Sequence, residues 1–186
     1  MNNKTIIAPA TAPGRGGISI IRMSGIDSKR IAEKMCGRLP EPWRLKKSQI
    51  QSSKGEVLDS GMVVFFESPH SYTGEDVVEF HCHGNPVVIN LIIEEAVGLG
   101  AVIAEPGEFT KTAFLNDKID LAQAESVADL ISAQSKSAVI AANSSLSGDF
   151  SQEINLLTDE IIKARVLVEA SIDFPEDELE EGLLTE

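Results

Sequence analysis

Near residue 105 the spacing of apolar residues changes from a period of two to a period between three and four, and no single type of layer satisfies both. Before that point short β-rich runs alternate with helical stretches. Residues 5–10, 18–23, 61–66, 77–82 and 101–104 read as strands, each bounded by Gly, Pro, Asp or Ser. Residues 28–36 read as a helix capped by Asp27 or Ser28 and stopped at Gly37. A second helix opens at Asn85-Pro86, with Asn as cap and Pro at the first helical position, and closes at Gly98 and Gly100. Residues 39–55, rich in Pro and then in Lys and Ser, read as a surface excursion.

After Pro106 everything reads as helix. Phe109, Ala113 and Phe114 are assigned to one face; Leu121, Ala124, Val127, Ala128 and Ile131 follow helical spacing behind an Asp120 cap. One long helix is expected from about residue 135 to residue 172, with Ile154, Leu157, Ile161, Val166 and Val168 along it, stopped by Phe174-Pro175. The expected fold class is α+β: residues 1–118 form a mixed-sheet domain, and residues 119–186 form an incomplete helical one. Two or three helices of this length bury little by themselves, so a partner chain or a further segment is expected to complete them.

Charge narrows the function classes. The net charge is −13, and residues 151–186 carry eleven acids against two bases, including the run Glu176-Asp177-Glu178-Leu179-Glu180-Glu181. That run reads as a solvated helix end or linker. Phosphate backbones are held by clustered Lys and Arg, so a chain this acidic is expected to meet RNA through positive surface supplied elsewhere. Two cysteines, Cys36 and Cys82, make no disulfide framework, and nothing resembles a secretory leader or a membrane span. A cytoplasmic location is expected.

Three features carry candidate chemistry. The run APGRGGISIIR, residues 12–22, crowds glycines around an arginine, but a β-branched run follows it where a phosphate loop needs a helix and a Lys-Ser or Lys-Thr pair. Its glycines read as a connection between strands that needs positive φ. Arg22, four residues into the strand, faces either solvent or a pocket. In EFHCHG, residues 79–84, strand alternation puts Glu79, His81 and His83 on one face and Phe80 and Cys82 on the other. These three could ligate a metal, although no further His or Cys cluster completes a site. A core-facing Cys82 is a poor nucleophile. Glu79 also suits a ligand edge with two adjacent N–H donors, such as a pterin or a guanine ring.

Four runs resemble one family across nearly the whole chain: TIIA leading into APGRGGISIIRMSG, then SYTGEDVVEFHCHG, EPGEFTKTAFLNDKIDLAQAESVADLI and EASIDFPEDELEE. The family is MnmE (TrmE), the bacterial tRNA-modification GTPases. The resemblance implies a folate-binding, dimerising domain akin to the tetrahydrofolate domain of the glycine-cleavage T-protein, followed by the first part of a helical domain. It implies Arg22, Glu79 and Lys118 as the residues that bind 5-formyl-tetrahydrofolate, holding it without proton chemistry; no catalytic or metal-ligating residue is assigned. It implies a homodimer acting with the FAD protein MnmG (GidA) on the wobble uridine of certain tRNAs. GTP, Mg²⁺ and K⁺ belong to a GTPase domain that this sequence lacks, so it reads as part of a longer protein without GTPase activity of its own. Asn85 stands where the family usually has a second glycine. Two other readings stay open: a metal-dependent hydrolase using His81, His83 and Glu79, and a purely structural dimerisation module.

Overall fold

The structure, a computed structural model, describes residues 4–173. They fall into two units divided between Ile119 and Asp120.

The first unit is built on a six-stranded sheet. Its strands are β1 (Ile6–Pro9), β2 (Gly16–Ser24), β3 (Lys46–Gln51), β4 (Val57–Phe66), β5 (Val77–Gly84) and β6 (Val102–Ile103), in the order β3-β4-β5-β2-β1-β6. All neighbours are antiparallel except β1 and β6, so the sheet is mixed. Helices α1 (Ser28–Cys36) and α2 (Pro86–Gly98) cover one face, and α3 (Glu108–Leu115) follows β6. Alternation sends Ile21 and Met23 of β2, Val63 and Phe65 of β4, and Val78 and Phe80 of β5 into one core with Ile31, Met35 and Ile92 from the helices.

Caps explain the helix boundaries. The Asn85 side chain accepts from the Val87 N–H at 2.9 Å with Pro86 behind it, so the residue that departs from the family pattern starts α2. Asp27 occupies the cap position of α1 but turns its carboxylate to Arg30 at 2.7 Å. Gly25 turns the chain between β2 and α1 at φ 132°, where a Cβ would lie 2.7 Å from the Lys4 carbonyl oxygen.

Several boundaries differ from those read in the sequence. Part of the supposed surface excursion is the edge strand β3, whose residues KKSQIQ bury only Ile50. Strand β4 begins at Val57, four residues before Gly61. In the glycine run only Gly14 has positive φ. Gly16 and Gly17 already belong to β2, Gly16 pairs with Gly84, and the register shifts before Ser19. Phe109 and Ala113 turn inward on α3, but Phe114 stays exposed.

The second unit is helical: α4 (Leu121–Ser132), α5 (Lys136–Leu146) and α6 (Asp149–Asp173). Asp120 caps α4 in a reciprocal capping box with Gln123. The expected single helix from residue 135 is broken at Ser147-Gly148, because Gly148 adopts φ 92°. The Gln123 side chain donates to the Leu146 carbonyl at 2.9 Å and fixes the end of α5 against α4. Phe174-Pro175 and the acidic run 176–181 lie outside the described residues. No helix among the described residues is long and apolar enough to cross a membrane.

Candidate functional site

Arg22 and Glu79 are 57 residues apart in sequence, yet stand directly opposite each other in the β2–β5 ladder. Both point to the sheet face opposite the helix-covered core. Arg22 Nε donates to Glu79 Oε1 at 2.8 Å, with the side chains 27% and 11% exposed. Cross-strand pairing of opposite charges fixes both geometries. On the other side of Glu79, His81 Nε2 lies 3.3 Å from Oε2.

Two aromatic rings enclose the guanidinium. Its carbon lies 5.2 Å from the centre of the Tyr72 ring and 5.7 Å from that of Phe109, within cation–π range. Tyr72 comes from the loop between β4 and β5, Phe109 from α3, and the Tyr72 hydroxyl meets the Thr110 hydroxyl at 2.9 Å. Among the described residues, the two terminal nitrogens of Arg22 have no hydrogen-bond partner. A carboxylate with two partners also keeps acceptor capacity in reserve. The arrangement is a charged pair beside flat rings, suited to a planar heterocycle with N–H donors.

The surrounding loop is held by a closed set of hydroxyl contacts. Thr73 accepts from the Glu75 N–H at 3.3 Å and meets Ser24 Oγ at 2.7 Å, and Ser24 donates to the Glu75 carboxylate at 2.7 Å. Asn116 Nδ2 donates to the Thr73 carbonyl at 2.7 Å and ties the turn after α3 to this loop. At the start of α3, Lys4 pairs with Glu108 at 2.6 Å, a contact that holds the Glu108 carboxyl below its usual range.

Lys118 stands apart from the Arg22–Glu79 pair. Its Nζ donates to the Pro69 carbonyl at 3.0 Å, and its stem runs against Gly74, where an added Cβ would lie 3.2 Å from Lys118 Cγ and Cδ. It therefore grips the same loop that delivers Tyr72, while its described contacts include neither Arg22 nor Glu79.

The histidines do not converge. His83 donates its backbone N–H to Asp59 Oδ2 at 2.7 Å, and its ring Nδ1 lies 2.7 Å from Oδ1. Burial works against the Asp59 charge, but the contacts from His83 and Ser60 outweigh it and leave the carboxyl below its ordinary value. Among the described residues no three His, Cys, Asp or Glu side chains gather as a metal site, and the hydrolase reading has no geometry to support it. Burial pushes the Cys82 thiol up to about 11, which makes it inert at neutral pH.

Sequence reasoning missed Tyr72, Phe109 and the Asp59–His83 pair. Tyr72 is the chain's one tyrosine and Phe109 falls in the EPGEFTKT run, but neither follows a period that announces a site.

Residues 5–118 match the family described as the GTP-binding protein TrmE N-terminus. The chain belongs to the MnmE (TrmE) family. Residues 121–185 match the MnmE helical domain. A tRNA modification GTPase MnmE of Hydrogenovibrio crunogenus is 52% identical over 178 residues, covering 96% of this chain and 40% of that protein. MnmE proteins of Neisseria meningitidis and Stutzerimonas stutzeri are each 51% identical, over 179 and 176 residues. The chain thus spans about two fifths of the length of the curated MnmE relatives it matches.

Proposed function

We propose that this chain is the folate-binding and dimerising N-terminal part of a tRNA-modification GTPase. The observation that carries the reading is the Arg22–Glu79 pair set beside Tyr72 and Phe109. Glu79 would take the aminopyrimidine edge of a pterin, and Lys118 the carboxylates of the glutamate tail. Arg22, already committed through Nε, would orient Glu79 and offer its terminal nitrogens to the ligand. Tyr72 and Phe109 would shield one side from water. A bound 5-formyl-tetrahydrofolate supplies a one-carbon unit for C5 of the wobble uridine; the protein's own residues bind and orient.

In the longer protein the exposed apolar residues of α6 would be covered by further helices, and GTP, Mg²⁺ and K⁺ would belong to a separate GTPase domain. A homodimer working in the cytoplasm with the FAD protein MnmG completes the proposal. Isothermal titration of the chain with 5-formyl-tetrahydrofolate tests it. Saturable binding is expected, roughly a hundredfold weaker in Glu79→Gln, which removes the charge and one of the two acceptor oxygens. A dimeric chain that ignores millimolar folate would leave the structural-module reading standing.

A further inference from the structure

The average charge conceals a local excess. Of the sixteen Lys and Arg residues in the chain, eight lie in residues 29–54, against two acids, a net of +6 in a chain of −13. All eight are exposed. Two contacts lie on the helix-covered side, Lys29 Nζ 5.3 Å over the Phe65 ring and Lys46 donating to the Arg38 carbonyl at 2.8 Å, whereas the edge contact of Trp43 with Phe66 lies on the other, because neighbouring residues of β4 face opposite ways. Helix α1, the 37–45 segment and the start of β3 therefore bring their cations to the β3 edge of the sheet, from both of its sides.

Edge protection explains part of this. A lysine-rich edge strand resists pairing with another sheet, and β3 is an edge. It does not explain the cations of α1 and the 37–45 segment, nor Trp43. That residue, the only tryptophan in the chain, is 64% exposed and held at φ 64°. A bulky residue in the left-handed region is strained, and such strain clusters at binding sites. The Trp43–Phe66 contact is T-shaped, with centroids 4.7 Å apart, so at least one indole face is free of Phe66.

We propose that this surface is where the chain itself meets RNA: Lys29, Lys34, Arg38, Arg44 and Lys47 along the phosphate backbone, and an unpaired base stacked on Trp43. The inference rests on the tRNA-modification reading; Trp43 and Phe66 share the sheet face of Glu79 but stand at its β3 edge.

The test is binding of fluorescein-labelled tRNA to the full chain, read by anisotropy, with Trp43 fluorescence as a second signal. Saturable quenching of Trp43 is expected over the same concentrations as the anisotropy change. The triple variant Arg38→Glu, Arg44→Glu, Lys47→Glu should bind at least about tenfold more weakly and lower the log–log salt slope by roughly 2 to 3. Trp43→Gly relieves the backbone strain, so it should weaken binding while the thermal midpoint is kept. Equal affinity in the triple variant, no tRNA binding at low salt, or binding only to phosphatidylserine vesicles would overturn the proposal. Folate titration on the same samples separates the two claims. Lost folate binding with retained tRNA binding strikes the folate reading alone; the reverse strikes the RNA surface alone.

Discussion

The sheet unit and the helical unit bury apolar residues to very different extents. Ile7, Ile21, Met23, Val63, Val78 and Phe80 are wholly inaccessible in the first, whereas the described buried residues of the second are Ser126, Ala142 and Gly148. In the helical unit Ile131, Ile140, Leu156 and Ile161 are each more than half exposed. A sheet with helices on one face closes a core within its own sequence, while amphipathic helices wait for others to cover their stripes. The difference is one of autonomy.

Separating the two units breaks this comparison most directly. Residues 1–119 alone are expected to melt cooperatively with their circular dichroism intact, and residues 120–186 alone to lose helicity without a transition. A helical fragment that melted sharply as a monomer would contradict the contrast. Next in size come single truncations. Phe80→Ala empties a fully buried site and is expected to cost about 3–5 kcal/mol. Ile161→Ala, at a residue 59% exposed, should change stability by no more than about 0.5 kcal/mol. Urea denaturation reads both, and equal penalties would erase the distinction.

The smallest effect lies in the acid limb. Because His83 holds the Asp59 carboxyl below its ordinary value of 3.8, its stabilisation is complete above that pH and is lost as pH falls through the lower folded value. The penalty of Asp59→Asn in the sheet unit should therefore shrink towards nothing below pH 3.8, with the helical signal unmoved. A penalty that stayed constant with pH would remove the ionic character of that contact.

Legibility followed the physics of each element. β1, β2, β5 and α2 were readable because apolar runs meet strong punctuation such as Asn85-Pro86. β3 was not: an edge strand needs only one inward residue, Ile50, and its polar remainder looks like a loop. The break at Gly148 was hidden because apolar spacing continues across it. At the candidate site, alternation set Glu79 on the face away from Phe80, and the family resemblance marked Arg22, Glu79 and Lys118. Their distribution, two in a ladder and one gripping a loop, is a property of strand order that no local pattern carries. Tyr72 and Phe109 join Arg22 only through tertiary packing.

The rung that joins Arg22 to Glu79 has a thermodynamic corollary. Closing it requires the chain to bring together positions 57 residues apart, so the pair does not exist in the unfolded ensemble. Any ligand that grips both groups binds only the native sheet, and at a hundred times its dissociation constant it would add about 2.7 kcal/mol to that unit's stability. Ligand concentration would then act as a dial on the lifetime of one half of the molecule, leaving the other half to depend on whatever covers its helices.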